Sequence, residues 1–165
     1  MVHGRYVDKF SHLKGNAGYN AIATVRVNGK ATGTFLASTV PSGPGYATIK
    51  DGTYSGTLSY HQGQPAILIN GGHGVPVVGG RDPATGKTEA TGIFVHMAGV
   101  PNAAHPLGNT GMGLSFTGKT VPMSAGCQLV CSYQYRAFLQ AAGLIPVAGP
   151  PQGQFTVTVD TTENQ

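Results

Sequence analysis

Gly92-Ile93-Phe94-Val95-His96 reads as an interior strand: a short apolar run with β-branched and aromatic side chains, ended by a histidine. Alternation sets Phe94 and His96 on one face and Ile93 and Val95 on the other. Segments of similar character recur around it. Residues 19–27 carry a partial period-two pattern, Asn28-Gly29 follows as a hairpin turn, and 32–39 is the return strand. Residues 46–49, 54–60 and 65–69 are further expected strands. Between and after them lie Pro41-Ser42-Gly43-Pro44-Gly45, Asp51-Gly52, Gly71-Gly72-His73-Gly74 and Gly79-Gly80-Arg81-Asp82-Pro83, all turn-rich. Phe155-Thr156-Val157-Thr158-Val159 alternates as a final strand. One helix is expected over 132–142, with Ser132 as cap and Tyr135, Phe138, Leu139 and Ala142 at helical spacing. Gly143 and Pro146 stop it. Residues 97–123 hold no period, and a loop of that length in a compact domain usually serves function. These features predict a mainly-β single domain over residues 1–165, with 1–18 and 161–165 peripheral.

Composition agrees with short strands and many turns. The 165 residues include 26 glycines and 11 prolines, and only 10% of them are charged, which argues against disorder and coiled coil. The net charge is +4, but the ten Lys and Arg stand singly, with no aromatic interleaving and no Trp. That pattern argues against nucleic acid as a partner and suits an anionic polymer such as a bacterial cell wall. No apolar stretch approaches the roughly 20 residues of a membrane span. The Met1-Val2-His3-Gly4-Arg5-Tyr6 start lacks the apolar region of a signal peptide.

The chemistry converges on Ser124-Ala125-Gly126-Cys127, a turn of small residues that delivers a cysteine 31 residues after His96. A thiol is a nucleophile only as thiolate, and an imidazole is the usual base that makes it one. Gly126 allows close approach of backbone and substrate, and amides around Gly126 and Cys127 are candidates to hold an oxyanion. Cys131 abuts Val130 and the helix start and reads as a core thiol. A Cys127–Cys131 bridge would close a very small loop and is not expected.

The other histidines read as ordinary. His3 and His12 lie in a polar segment, His61 follows a tyrosine in a turn, His73 sits among glycines, and His105 precedes a proline. No His-x3-5-His pair accompanies the two cysteines and no H-E-x-x-H motif is present, so neither metal nor any other cofactor is expected. Gly113-Leu114-Ser115-Phe116-Thr117-Gly118 is not a nucleophile elbow. Six acidic residues give little basis for a paired-carboxylate glycosidase.

The arrangement of His96, Ser124, Gly126 and Cys127, followed by a helix over 132–142 and a strand over 155–159, resembles the L,D-transpeptidase catalytic domain, the YkuD-like β-sandwich. The Ile93-Phe94-Val95-His96 approach and the Ser-x-Gly-Cys-Gln form are similar to compact relatives among phage lysis enzymes and secreted antibacterial toxins. His96 precedes Cys127, as in that family and unlike papain-like peptidases. Where the family commonly has glycine, a turn histidine and a basic or Asn residue, this chain has Met97, Ala125 and Leu129.

The resemblance implies a Cys127 thioester enzyme with His96 as base. It would act on the meso-diaminopimelate–D-alanine bond of peptidoglycan stem peptides, as L,D-carboxypeptidase or L,D-transpeptidase. Ser124 would orient His96 or the substrate, or complete the turn. Arg81, in the loop before the His96 strand, is a candidate for a substrate carboxylate. The site of action would be periplasm or cell wall, reached through a secretion system or phage lysis, with an immunity protein as partner if the chain is a toxin. From another class, a non-catalytic β-sandwich, wall-binding or phage structural, with Cys127 packed inside, stays open on the residues alone.

Overall fold

The structure, a computed structural model, describes residues 5–16, 19–27, 29–39, 45–98, 112–114, 120–122, 124–145 and 155–160. The strands are β1 (Arg5–Asn16), β2 (Tyr19–Val27), β3 (Lys30–Ser38), β4 (Gly52–His61), β5 (Gln64–Ile69), β6 (Val75–Pro76), β7 (Glu89–Ala90), β8 (Phe94–Met97), β9 (Met112–Leu114), β10 (Thr120–Pro122) and β11 (Gln128–Val130). The helix α1 (Tyr135–Ala141) and the strand β12 (Phe155–Asp160) follow. Eight of the strands close a barrel in the order β1-β12-β4-β5-β8-β11-β3-β2.

The chain is therefore mainly β with one α-helix among the described residues, as its sequence predicts. The expected two-layer sandwich gives way to a barrel because β1 pairs with β2 on one side and β12 on the other, leaving no break in the ring. Residues 5–16, expected to be peripheral, thus supply the closing strand. Their pairing is not uniform, with register shifts after Val7 against both partners.

The expected strand at 46–49 begins in a bend at Tyr46 and makes a ladder bridge only at Ile49, to Val77. That bridge is carried by Lys50 N–H to Pro76 O and Val78 N–H to Thr48 O, and Pro76 has no amide to extend the pairing. The Gly71 and Gly79 segments are the expected turns, each built on a short 3-10 helix, Asn70–Gly72 and Val78–Gly80. Much of 97–123 lies outside the described residues, but β9 and β10 pair within it, so the segment is not wholly irregular. Residues 161–165 and Pro146 also lie outside them.

The barrel interior is filled from alternating positions: Ala21, Ala23 and Val25 on β2, Phe35 and Ala37 on β3, Ile67 and Ile69 on β5, Val95 and Met97 on β8. An eight-stranded ring is just wide enough for such side chains to meet across it. The helical segment closes one end. Phe138 packs edge-on against Phe35, with ring centroids 5.7 Å apart, and the Tyr135 hydroxyl donates to the Pro65 carbonyl. Leu36 N–H donates to Gln134 Oε1 at 2.6 Å, tying the segment to β3.

Ser132 opens a 3-10 turn, Ser132–Gln134, instead of capping α1, and its buried hydroxyl is not bonded to a described group. Gly143, at φ +68°, follows the helix as expected. No helix among the described residues is long and apolar enough to cross a membrane.

Candidate active site

β8 and β11 are parallel neighbours, with Gln128 opposite Val95 and Leu129 opposite His96. Paired residues in a parallel ladder share a face, so the faces of the two strands are matched. Val95, Met97 and Val130 point into the barrel core, while His96 lies on the outer face with Leu129. Cys127, one step before β11, belongs to that outer face too. His96 and Phe94 are half-buried there, whereas Val95 is fully buried, which matches the alternation expected from the sequence.

The Ser124–Cys127 turn is held by its own side chain. Ser124 Oγ accepts from Gly126 N–H at 3.0 Å and donates to the Cys127 carbonyl at 2.8 Å. Ser124 thus completes the turn. Gly126 sits at φ +123°, and a Cβ there would lie 3.0 Å from the Ala47 carbonyl oxygen, so both conformation and space call for glycine. The Gly126 amide is engaged by Ser124, which removes it from the expected oxyanion pair and leaves the Cys127 amide.

Cys127 Sγ accepts from the Phe94 amide at 3.4 Å, and the thiol makes a long contact to Gly92 O at 4.0 Å. Burial pushes the thiol above its ordinary pKa, and the Phe94 N–H opposes this in part. Both cysteines are free; Cys131 is buried with Leu129 and Tyr19 at the far end of β11.

The His96 ring is fixed on two sides. Its Nδ1–H donates to the Met97 carbonyl at 2.8 Å, which makes Nδ1 the protonated nitrogen of the neutral ring and Nε2 the lone-pair nitrogen. Its face stacks on His61, with centroids 4.0 Å apart and planes 22° from parallel. Burial, and then the His61 imidazole, lower the His96 pKa to about 4, against the pull of the Met97 carbonyl. Among the described residues no hydrogen bond joins His96 to Cys127. The resting pair is a neutral imidazole and a protonated thiol on the same outer face of adjacent strands.

His61 is the residue that sequence reasoning missed. The sequence places it in a turn, but the β4–β5 loop is only Gln62-Gly63, both at positive φ, so His61 ends β4. A two-residue hairpin loop of this kind was the available signal. From there its ring also reaches Phe94, 5.2 Å away.

Arg81 is not brought to the site: it is exposed, and its guanidinium donates to Gly86 O at 2.7 Å within its own loop. Among the described residues no group of three or more His, Cys, Asp or Glu is arranged to hold a metal ion. A comparison with protein-family models found no match to the chain, and no curated protein and no solved structure matched it significantly.

Proposed function

We propose that the chain is a cysteine enzyme of the L,D-transpeptidase kind, acting on the meso-diaminopimelate–D-alanine bond of peptidoglycan stem peptides. The observation that carries this reading is the pairing of β8 with β11. It puts a histidine of defined tautomer and a cysteine on a rigid turn on the same face of adjoining strands, Cys127 level with Phe94 and His96 level with Leu129. With Nδ1–H committed to Met97, Nε2 is the atom that takes the Cys127 proton as the thiol attacks the scissile carbonyl.

The Cys127 amide faces the developing oxyanion, and the His96 proton passes to the departing D-alanine amine, leaving a thioester. Water then yields the carboxypeptidase product, and an acceptor amine yields the cross-link or exchange product. Burial of both partners favours their neutral forms. Proton transfer therefore accompanies substrate attack and is not stored beforehand as an ion pair. The site of action would be the periplasm or cell wall, as for a secreted toxin or phage lysis enzyme.

One observation favours the second reading, a non-catalytic wall-binding or phage structural module: the Cys127 thiol is held protonated and is not bonded to His96. Mass analysis of purified stem tetrapeptide separates the two. Loss or exchange of one D-alanine with the wild-type protein, absent with Cys127→Ala and His96→Ala, is expected. An unchanged tetrapeptide, with the proteins folded, would leave the binding module as the reading.

A further inference from the structure

We propose that His61 is a positioning residue for His96: its ring, stacked on the imidazole, fixes the plane in which Nε2 presents its lone pair. This rests on the reading of His96 as the base. A histidine ring at a strand end turns about two side-chain bonds. The Nδ1–H bond to Met97 lies in the ring plane and sets where one edge of the ring points, but it leaves the plane free to swing about that bond. The stack at 4.0 Å and 22° removes this freedom. Among the described residues no carboxylate takes the orienting role: the groups acting on His96 are His61 and the Met97 carbonyl.

His61 is itself held in place. It closes β4 opposite Gln64, across a loop of two residues, and its ring leans on Phe94 at 5.2 Å. Phe94 also supplies the amide that binds Cys127 Sγ, so one residue braces the positioning ring and the thiol together. On this outer face the register brings Ala66 of β5 level with His96 and Leu68 level with Phe94, with Leu129 opposite His96 on β11, Cys127 at the head of β11 and His61 reaching in from the end of β4. Tyr19 and Cys131 lie beyond Leu129. Among the described residues His61 is the one ring stacked on the His96 imidazole.

The test uses the full chain with His61→Phe, which keeps a flat ring, and His61→Gln, which keeps polarity without one. Turnover of stem tetrapeptide and the NMR titration of the His96 ring are measured for both variants and for wild type. With His61→Gln, kcat is expected to fall roughly 10- to 100-fold with KM nearly unchanged, the loss typical of a mispositioned catalytic group. His96 should then titrate at a clearly higher pH, because its ring gains solvent and loses the like neighbour. His61→Phe should recover kcat to within about threefold of wild type and give a smaller rise in the titration midpoint.

The proposal is overturned if His61→Gln matches wild type in both measurements, or if His61→Phe is as impaired as His61→Gln. If the wild-type protein does not process the tetrapeptide, the enzymatic reading has failed by itself. The His96 titration then decides the positioning role alone: a midpoint unmoved in His61→Gln refutes it, and a graded rise across the two variants upholds it.

Discussion

The Phe94 amide donates to Cys127 Sγ across 3.4 Å, so the head of β8 holds the side chain that the head of β11 presents. This bond favours the thiolate, but burial outweighs it, and the resting group is a thiol. Ser124 holds the Cys127 turn, Met97 and His61 hold His96, and Phe94 braces both sides through its amide to Sγ and its ring to His61. β8 and β11 are parallel neighbours, which brings His96 and Cys127 to one face of the sheet.

Alkylation reads this electrostatic balance directly. Iodoacetamide should modify Cys127 more slowly at pH 7 than it does a free thiol in solution. The rate should climb with pH to a midpoint above the ordinary thiol value, as the direction of its shift requires. Because His96 is neutral in the resting state, His96→Gln should leave that midpoint nearly in place. A midpoint below that of a free thiol, raised by His96→Gln, would show a preformed thiolate–imidazolium pair instead. Cys131, 5% exposed, should label only on unfolding.

Ser124→Ala removes both bonds that shape the nucleophile turn. Two hydrogen bonds of ordinary strength in a buried setting are worth about 2 kcal/mol together. In a domain of this size that corresponds to a fall in Tm of roughly 4–8 °C. Calorimetry measures the loss. Turnover of stem tetrapeptide should fall as well, since Cys127 is no longer held in register with Phe94. A Ser124→Ala protein with wild-type Tm would mean that the turn is fixed by the backbone alone.

Gly126→Ala should cost more than Gly29→Ala, although both glycines have positive φ. At Gly29, φ +78°, an added Cβ meets nothing within 4 Å, so the expense is conformational only, about 1–2 kcal/mol. At Gly126 the same methyl also lies 3.0 Å from the Ala47 carbonyl oxygen, and either that backbone or the Cys127 turn must move. Urea unfolding of the two variants in parallel gives the comparison. Equal losses would show that the Ala47 segment yields freely.

Much of this arrangement is legible in the chain. The alternation through Phe94, Val95 and His96 sets the correct faces, and the small residues ahead of Cys127 announce the tight turn. What was not legible depends on contacts between distant segments. Closure of the barrel rests on β1, whose parallel pairing with β12 joins segments as far apart in sequence as Tyr6 and Thr156. His61 is local to a hairpin that can be read, but its ring meets His96 only because β5 lies between β4 and β8 in the barrel. Ser132 has the composition of a helix cap, yet the chain spends it in a 3-10 turn before α1 begins.

Acid should weaken the fold through His96. In the unfolded chain a histidine titrates near the ordinary 6.5, whereas in the folded protein burial and His61 hold His96 at about 4. Above pH 6.5 the ring is neutral in both states and its contribution is complete. As pH falls below that, the unfolded chain takes up a proton that the folded one refuses, and stability drops. The total reaches about 3 kcal/mol by pH 4, following 1.4 kcal/mol for each pH unit of difference. His61, also lowered by burial, adds to the slope in the same direction. Urea unfolding at pH 7, 6, 5 and 4.5 should therefore show a steady decline in wild type and a shallower one in His96→Gln. Parallel slopes in the two proteins would mean that His96 is not the buried neutral imidazole on which the proposed proton transfer depends.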